Sequence, residues 1–392
     1  MMIRRRTALL GLAATVALGN VSLALAEAGT RKRFVVVILR GALDGLSTVV
    51  PYGDANLRAW RASLLLPEPG KPDGVLDMGG FWGLHPQLKR LHALYGAGEM
   101  LPVHAAAGPT RSRSHFEAQD LLECGAGERM DTGWLNRLAG LLPPAPGEND
   151  RAVALGQTVP LLLRGPLPVN SWAPGGKPDP GVEFYGRLAA MHEADKLTGP
   201  AMADGLRQRG IEGQALAGAA GPGGDAPFVT LARAAGRFLA DPKGPRLAAL
   251  ELDGWDTHSN QTFRLKYALM PLDAGLAALK ESLGPAWADT VVVVMTEFGR
   301  TVRVNGTLGT DHGTATVAFV LGGGVRGGRV LADWPGLAEN KLFENRDLAP
   351  TTDLRGVIKG LLAGHYGLGP DALTTIFPES QTIAPAAGLL RA

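Results

Sequence analysis

The sequence predicts an α/β protein: a three-layer sandwich built around a mostly parallel central sheet. Runs of β-branched and apolar residues recur along the chain without polar alternation, as in strands that are covered on both faces. Between them lie segments whose apolar residues recur at helical spacing. Strands that alternate with helices favour a parallel sheet with helices packed on both of its faces.

Six segments are predicted as strands. Residues 34–39 form a continuous apolar run, and residues 290–295, which include four consecutive valines, give the strongest signal. The weaker candidates are 100–105, 152–155, 247–252 and 316–321. All of these runs are too short to cross a bilayer, so no stable membrane span is expected in the mature chain.

Five segments between the strands are predicted as helices because their apolar residues share one helical face. They are 86–95, 115–122, 227–239, 260–283 and 352–366. Three segments rich in glycine and proline are predicted as loops: 143–150, 165–181 and 210–227. Residues 157–245 lack a strong strand, and we interpret them as a candidate helical cap inserted into a single domain that spans residues 27–392.

Composition and charge exclude several classes of protein. The chain has 392 residues, of which 45% are hydrophobic and 19% charged, so it can bury a large core and is not a disordered chain. Its formal net charge of +2 and its lack of a long basic run argue against nucleic acid as a partner. The single cysteine, Cys124, excludes an intramolecular disulfide and a cysteine-cluster zinc site, and we expect it to be buried.

The N-terminus carries a targeting signal. Arg4, Arg5 and Arg6 precede a stretch rich in alanine and glycine, and residues 24–26 offer a small-x-small cleavage pattern. Twin arginines followed by x-x-Leu-Leu are typical of a Tat signal, with an ordinary Sec signal or an N-terminal anchor as the alternative. We therefore predict a Tat-type signal over residues 1–26. Its partner during export would be the Tat translocon, and the mature protein would be periplasmic or secreted.

Polar side chains gather after the predicted strands. Ligands in open parallel sheets bind beyond the carboxyl ends of the strands, so these positions predict a site. Five segments, far apart in the chain, carry carboxylates, histidines or hydroxyls there: 40–45, 108–115, 253–258, 296–300 and 309–314. Each segment alone is a weak signal, but their agreement predicts one common cavity.

Two of these segments offer metal ligands close to a turn. Asp44 lies between Gly41 and Gly45, and its alternative role is to cap the next helix. Asp256 and His258 are two residues apart, so both can face one point if the loop bends. The alternative for Asp256 is to cap the helix that begins near residue 260.

The last two segments offer a carboxylate at a strand end and an Asp-His pair in a glycine-rich loop. Glu297 follows a strand too apolar to carry a stray charge, so it needs a cation or a partner such as Arg300. Asp311 and His312 can both turn inward. We predict Asp311 and His312 as metal ligands, and a satisfied structural histidine is the alternative for His312.

The segment 108–115 offers an anion site. Ser114 is followed by Glu117 three residues later, a capping box that places Ser114 at a helix N-terminus. Backbone N–H groups and the helix dipole favour an oxyanion there, and Arg111 and Arg113 add positive charge. The alternative is that Ser114 only caps the helix. Thr110 and Ser112 are rival hydroxyls, and His115 remains a candidate ligand, acid/base or packing residue.

These segments together resemble the bacterial family catalogued as domain of unknown function 1501, over nearly the whole mature chain. The resemblance rests on short motifs: Leu39-Arg40-Gly41 with Asp44-Gly45, Val50-Pro51-Tyr52-Gly53-Asp54, Ser114-His115-Phe116, Gly254-Trp255-Asp256-Thr257-His258, Thr296-Glu297-Phe298-Gly299-Arg300 and Thr310-Asp311-His312-Gly313. Members of the family typically carry a Tat signal, and the family itself lacks a settled reaction.

The family is similar to a branch of the alkaline phosphatase superfamily, which includes sulfatases. This resemblance implies an alkaline-phosphatase-like sheet and a site with one or two divalent metals. It implies metal binding by Asp44, Asp256, His258, Glu297 and His312, and a nucleophile at Ser114 or Thr110. Where superfamily members usually carry an Asp-His pair, this chain has Glu297-Phe298, and Phe298 cannot bind a metal. Asp311-His312 resembles that pair but follows an additional loop, which leaves one metal position altered or absent.

Two hypotheses follow. The first is a metal-dependent hydrolase of small phosphate or sulfate esters that uses zinc, manganese, calcium or magnesium and no nucleotide cofactor. Arg113 would stabilise developing charge, and His258 or His115 would protonate the leaving group. The second is a non-catalytic periplasmic protein that binds an anionic or carbohydrate ligand, or a partner protein, on the same scaffold.

Overall fold

The computed structural model describes residues 32–145, 147–148, 150–174 and 226–391. The predicted signal at residues 1–26 lies outside these ranges, as does the middle of the candidate cap, residues 175–225. Within the described helices, none combines the length and the apolar character needed to cross a bilayer.

The described strands and helices alternate along most of the chain. The strands are β1 (Arg33–Arg40), β2 (Val49–Val50), β3 (Leu76–Asp77), β4 (Gly83–Leu84), β5 (Met100–Ala107), β6 (Ala152–Leu155), β7 (Asn170–Trp172), β8 (Leu247–Asp253), β9 (Thr290–Thr296), β10 (Thr316–Leu321) and β11 (Thr352–Asp353). The α-helices are α1 (Gly45–Thr48), α2 (Leu57–Arg61), α3 (Lys89–Gly96), α4 (His115–Cys124), α5 (Trp134–Leu141), α6 (Pro227–Ala240), α7 (Gln261–Leu283), α8 (Leu354–Tyr366) and α9 (Pro370–Ile376).

Eight strands form the central sheet in the order β11-β5-β10-β9-β1-β8-β6-β7, and β2, β4 and β3 form a small separate sheet. β1 pairs in parallel with both β8 and β9, and β6 pairs in parallel with β8 and β7. β10 runs antiparallel to its neighbours β5 and β9. The predicted mostly parallel sheet is therefore confirmed, with β10 as its reversed strand.

Two hydrophobic cores cover the two faces of this sheet. Alternate residues of β1 divide between them: Val35, Val37 and Leu39 pack with helices α3, α6 and α7, whereas the intervening residues pack with α5, α8 and α9. All six of these β1 side chains are fully buried. Burial on both faces explains the continuous apolar run in the sequence and confirms the three-layer sandwich.

The described ends of the region 157–245 belong to the sandwich itself. β7 extends the sheet beside β6, although the sequence predicted a loop over residues 165–181. Helix α6 lies in the same layer as α7, and Phe228 of α6 packs in the same core as Leu272 of α7. The strand of three residues was missed because it is too short to show a periodic pattern. The interpretation as a cap now concerns only residues 175–225, outside the described residues.

The polarity of β10 decides where its preceding loop lies. Because β10 is antiparallel to β9, the residues before β10 lie at the same edge of the sheet as the residues after β9. The carboxyl ends of β1, β5 and β8 also meet at this edge. The five polar segments predicted to share a cavity therefore all reach one edge of the sheet.

Candidate functional site

Three imidazoles and a carboxylate converge at this edge. The Nε2 atom of His312 lies 3.0 Å from Nε2 of His115 and 3.0 Å from Nε2 of His258. Asp256 Oδ1 lies 3.1 Å from Nε2 of His258 and 3.4 Å from that of His312, and its Oδ2 lies 3.7 Å from Nε2 of His115. We refer to these four residues, His115, Asp256, His258 and His312, as the histidine cluster.

Three members of the cluster are close enough to share one metal ion. The ligand atoms of His115, Asp256 and His312 all lie within 4.8 Å of one another. His258 lies beside them, with its Nε2 3.0 Å from that of His312 and 3.1 Å from Asp256 Oδ1. The side chains of Asp256 and His258 are 45% and 44% accessible, against 24% for His115 and 26% for His312, so the latter two are the more buried members of the cluster.

The four members of the cluster come from three places in the chain. His115 is the first residue of helix α4, Asp256 and His258 follow β8, and His312 precedes β10. A close approach of the backbone after β1 to the turn after β8 sets the position of Asp256. At Gly41, whose φ is +117°, a Cβ would lie only 2.7 Å from the backbone nitrogen of Asp256.

The second nitrogen of each imidazole is held by an acceptor. His115 Nδ1 lies 2.8 Å from Glu297 Oε1, and His258 Nδ1 lies 3.1 Å from Asp311 Oδ1. His312 Nδ1 lies 2.9 Å from the backbone carbonyl of Arg113. Since ionised carboxylates and carbonyls only accept hydrogen bonds, each Nδ1 must donate. In the neutral form of each ring, the Nε2 lone pair then faces into the cluster.

Glu297 orients His115 through a hydrogen bond to its Nδ1. Its Oε1 also accepts hydrogen bonds from the backbone N–H of Gly41 at 2.8 Å and from Gln119 Nε2 at 2.9 Å. Burial alone would raise the pKa of Glu297, but the hydrogen bond with His115 and the other donors hold it below its usual value. Glu297, predicted as a metal ligand, thus contacts the cluster through His115.

The pKa values of His115 and His312 are shifted in opposite directions. The hydrogen bond with Glu297 raises the pKa of His115 above its ordinary value, against the opposing effect of burial. Burial, together with the nearby charge of His115, lowers the pKa of His312. A proton between the two Nε2 atoms therefore resides on His115. A metal ion at the cluster would have to displace that proton.

Arg300 forms an ion pair with Asp256. Its guanidinium is buried, and Nη1 donates to Asp256 Oδ1 at 2.6 Å. Burial would raise the pKa of Asp256, but this hydrogen bond and the positive charge lower it. The sequence suggested Arg300 as a partner of Glu297, which was wrong, because Glu297 instead bonds His115. Asp256 does not cap the following helix either, since the N-cap residue of α7 is Asn260.

Asp311 lies at the solvent side of the cluster. Besides His258 Nδ1, its Oδ1 accepts a hydrogen bond from Asn305 Nδ2 at 3.1 Å. This hydrogen bond, more than any other contact, lowers the pKa of Asp311 and keeps it ionised. Asp311 was predicted as a metal ligand, and the structure places it as the orienting partner of His258.

Asp44 lies apart from the histidine cluster. Its carboxylate is buried and accepts hydrogen bonds from Arg61 Nη1 at 2.9 and 2.7 Å, one to each oxygen. It also caps helix α1 by accepting from the backbone N–H of Ser47 at 3.2 Å. Burial would raise the pKa of Asp44, but the Arg61 guanidinium keeps it below its usual value. The contacts of Asp44 thus agree with its alternative role as a helix cap.

Ser114 is the N-cap residue of helix α4, as predicted, but the capping box does not form. The Ser114 side chain makes no cap hydrogen bond within the described residues, and Glu117 Oε2 instead accepts from Ser112 Oγ at 2.7 Å. The Thr110 hydroxyl is also engaged, because it accepts from the backbone N–H of Ser112 at 2.9 Å. Among the rival hydroxyls of this segment, Ser114 is therefore the one not used to fold the loop.

The arginines of this loop serve a different purpose from the one predicted. Arg113 donates to Asp347 Oδ2 at 2.7 Å and to Glu344 Oε2 at 2.6 Å. Arg111 donates to the carbonyls of Gly108 and Thr110, both at 2.9 Å. Arg113 reaches the cluster only through its backbone carbonyl, which holds His312.

Asp347 and Phe298 were not recognised as site residues in the sequence. Asp347 is fully buried and accepts from Thr314 Oγ1 at 2.9 Å as well as from Arg113, so it ties together the two segments that hold His312. The Phe298 ring packs 4.9 Å from the His115 ring and 5.1 Å from the His312 ring, measured between centroids. No local pattern marks either role, because both depend on contacts between distant segments.

The cluster fits a transition-metal ion better than a hard cation. Imidazole nitrogens suit zinc and its neighbours, whereas magnesium and calcium take oxygen ligands. Outer carboxylates and carbonyls that orient each imidazole, as Glu297, Asp311 and Arg113 do, are the usual companions of metal-binding histidines. Converging lone pairs at about 3 Å repel one another unless a proton or a cation lies between them.

Glu297→Gln is expected to weaken zinc binding by about 10–100-fold without removing a ligand atom. Glutamine keeps the shape of the side chain but loses the charge that supports the His115 Nδ1–H. The dissociation constant for zinc, measured with a competing chelator, checks this. Glu251→Gln is the matched control, since Glu251 pairs with Arg40. Equal zinc affinity in both variants would show that Glu297 does not support the cluster.

Zinc affinity is expected to fall as the pH is lowered, starting above the pKa of a free imidazole, about 6.5. The metal needs Nε2 of His115 without its proton, and Glu297 raises the pKa of that ring, so protons compete over a wider range. Titrations between about pH 5 and pH 9 check this. In Glu297→Gln the fall should start at a lower pH. A profile that is the same in both proteins would show that Glu297 does not control the protonation of His115.

Comparisons with known proteins give one family and several similar folds. The family described as "Protein of unknown function (DUF1501)" matches residues 98–377, a range that includes the whole histidine cluster. No curated protein matches the chain in sequence. The C-terminal periplasmic domain of EptC from Escherichia coli, solved in complex with Zn, is 10% identical over 74% of this chain and 72% of that chain, with a TM-score of 0.37.

Two further solved structures match at the same level of similarity. A 2-O GAG sulfatase is 12% identical over 86% of this chain and 71% of that chain, with a TM-score of 0.37. The protein Ps i-CgsB, in complex with k-i-k-neocarrahexaose, is 11% identical over 91% of this chain and 74% of that chain, with a TM-score of 0.37. These similarities concern the fold alone.

Proposed function

The chain belongs to the DUF1501 family of proteins of unknown function, and from that starting point we propose that it is an exported, metal-dependent hydrolase of phosphate or sulfate esters. The observation that carries the proposal is the convergence of three imidazole nitrogens and one carboxylate, with each imidazole oriented by an acceptor. Export to the periplasm or beyond rests on the Tat-type pattern of residues 1–26.

The ligands of the metal would be His115, Asp256 and His312, whose ligand atoms all lie within 4.8 Å of one another. Zinc is the metal that suits this donor set best, and manganese is next among the metals expected from the sequence. When bound, the metal would polarise the ester and lower the pKa of an attacking hydroxyl or water. Arg300 keeps Asp256 ionised and turned toward the cluster.

Ser114 is the hydroxyl best placed to act as the nucleophile. It directly precedes His115, lies at the N-terminus of a helix of ten residues and makes no cap hydrogen bond within the described residues. The backbone N–H groups of that helix end would bind an oxyanion of the ester. The predicted charge stabiliser Arg113 is engaged by Asp347 and Glu344, so the helix end supports the anion in its place.

His258 is one of the two more exposed members of the cluster and has two candidate roles. It would complete the metal coordination as a fourth ligand, or it would donate a proton to the leaving group. Asp311 orients its ring in either case. Metal content separates the two roles: His258→Ala keeps the metal and loses turnover if His258 transfers a proton, and it loses both if His258 is a ligand.

The proposal is tested with the exported protein, purified without chelator. Elemental analysis should show bound zinc or manganese, and aryl phosphate and aryl sulfate esters should be hydrolysed. Treatment with a chelator should abolish turnover, and added zinc should restore it. Folded protein that contains no metal and binds none, or turnover that a chelator leaves unchanged, would contradict the proposal.

A second candidate is a non-catalytic protein that binds an anionic or carbohydrate ligand, or a partner protein, on the same scaffold. The observation that favours it is the pairing of Arg113 with Glu344 and Asp347, which engages the guanidinium that was expected to stabilise a transition state. Ser114→Ala separates the candidates. The substitution should abolish ester hydrolysis in a hydrolase and should leave cellular function intact in a binding protein.

A further inference from the structure

Asp44 occupies the position after β1 at which the resemblance implies a metal ligand. Its carboxylate, however, already faces a cation of the protein itself. Arg61 Nη1 donates to both carboxylate oxygens, at 2.9 and 2.7 Å. Both side chains are buried, with 1% and 2% of the Asp44 and Arg61 side chains accessible. The carboxylate therefore has its counter-ion within the folded chain.

The guanidinium of Arg61 is fixed on every side. Nη1 also donates to Ser47 Oγ at 2.9 Å, Nη2 donates to the carbonyl of Thr301 at 2.6 Å, and Nε donates to the carbonyl of Val302 at 3.0 Å. Arginine does not lose its proton in proteins, so this positive charge is permanent. The group cannot swing away without leaving these two buried carbonyls unpaired.

The remaining lone pairs of Asp44 are also engaged. Its Oδ1 accepts from the backbone N–H of Ser47 at 3.2 Å, and its Oδ2 accepts from Ser47 Oγ at 3.3 Å and from Gln261 Nε2. A metal ion beside this carboxylate would meet these N–H and O–H donors and a guanidinium. None of the nitrogens has a lone pair to offer, and the guanidinium would repel the ion.

We infer that the chain has a single-cation centre, in which only the histidine cluster binds a metal and Arg61 is the permanent counter-ion of Asp44. The inference rests on the proposed function for the metal at the histidine cluster, and it assigns to Asp44 a role other than that of a ligand. Asp44 and Arg61 have a structural role, because both side chains are buried and neither contributes a ligand atom.

A chain of buried hydrogen bonds links this ion pair to the cluster. Gln261 bonds Asp44 through Nε2, and its Oε1 accepts from Thr310 Oγ1 at 2.5 Å. Thr310 Oγ1 in turn accepts from Arg300 Nε at 3.3 Å, and Arg300 bonds Asp256. The ion pair therefore fixes the base of the network that holds Asp256, without contributing a ligand atom.

The test compares the metal content of the wild-type protein with that of two variants, after saturation with zinc and dialysis. Asp44→Asn/Arg61→Met removes both charges of the buried pair together, so that neither charge is left unpaired. Asp256→Asn removes a carboxylate of the cluster. We expect one zinc ion per chain in the wild type, one in the double variant, and a large loss of bound zinc in Asp256→Asn. Circular dichroism confirms that each protein is folded.

Other outcomes distinguish a failure of the single-cation centre from a failure of the proposed hydrolase function. Two zinc ions in the wild type, one of which disappears in the double variant, would overturn the single-cation centre and leave the proposed hydrolase standing. No zinc in the folded wild type would overturn both. If the double variant does not fold, the stoichiometry of the wild type, measured by titration with zinc, still decides between one ion and two.

Discussion

Replacing His312 with glutamine is expected to abolish metal binding and ester hydrolysis together. His312 Nε2 is the central atom of the cluster, because it lies 3.0 Å from Nε2 of both His115 and His258. Removing it takes away one of the three ligand atoms that lie within 4.8 Å of one another. The loss of zinc affinity should exceed the roughly 10–100-fold that the loss of an outer partner costs.

Elemental analysis and a chelator-competition titration measure this loss. His92→Gln is the matched control, since His92 lies on helix α3 and its Nε2 contacts the carbonyl of Asp77, outside the cluster. The control should keep the metal and the turnover of the wild type. Normal zinc content in His312→Gln would show that the cluster is not the metal centre, and the hydrolase proposal would lose its main support.

Arg61→Met is expected to destabilise the folded protein by about 3–5 kcal/mol. The substitution leaves the buried Asp44 carboxylate without its counter-ion, and the backbone carbonyls of Thr301 and Val302 without their donors. Equilibrium unfolding in urea measures the change, provided that the transition is two-state. The carboxylate should then take up a proton, because burial raises its pKa once the guanidinium is gone.

Two further variants serve as comparisons for Arg61→Met. Arg58→Met, at an exposed position of the same helix, should change the free energy of unfolding by less than about 0.5 kcal/mol. The double variant Asp44→Asn/Arg61→Met should be more stable than Arg61→Met alone, because it removes both charges. If Arg61→Met were as stable as Arg58→Met, the ion pair would not anchor the network behind Asp256.

The sequence was sufficient for most of the fold because buried strands in an α/β sheet carry a strong pattern. All six predicted strands form, and two of them, 152–155 and 316–321, have the observed bounds. The reversed direction of β10 could not be predicted, since strand polarity depends on the connection and not on the strand's own residues. The elements that were missed are short, and their apolar patterns are brief: helices α1, α2, α5 and α9 and strands β2, β3, β4, β7 and β11.

The site was predicted as a region rather than as a set of roles. The five polar segments do meet at one edge of the sheet, and the cluster draws on three of them. His115 was predicted as a catalytic residue, and it lies among the candidate ligands of the cluster. Glu297 and Asp311 were predicted as ligands, and in the structure each carboxylate bonds Nδ1 of an imidazole. A sequence shows that a carboxylate is present, but only the distances decide whether it faces the centre or a ring beside it.

The arginine partners were the least predictable part of the site. Arg61 pairs with Asp44 across 17 residues of sequence, and Arg300 pairs with Asp256 across 44. Neither spacing corresponds to a turn of helix or to facing positions on one hairpin, so no local rule selects these pairs. The buried ion pair could therefore be recognised only after folding had brought the segments together.

Because strand β10 is reversed, several residues of the site lie on one continuous stretch of chain. Because β9 and β10 are adjacent and antiparallel, the stretch between them is a long hairpin connection rather than a crossover. That one continuous stretch carries Glu297, Arg300, Asp311 and His312. Exchanging it between relatives would replace much of the chemistry in a single step while the pairing of the sheet stayed the same.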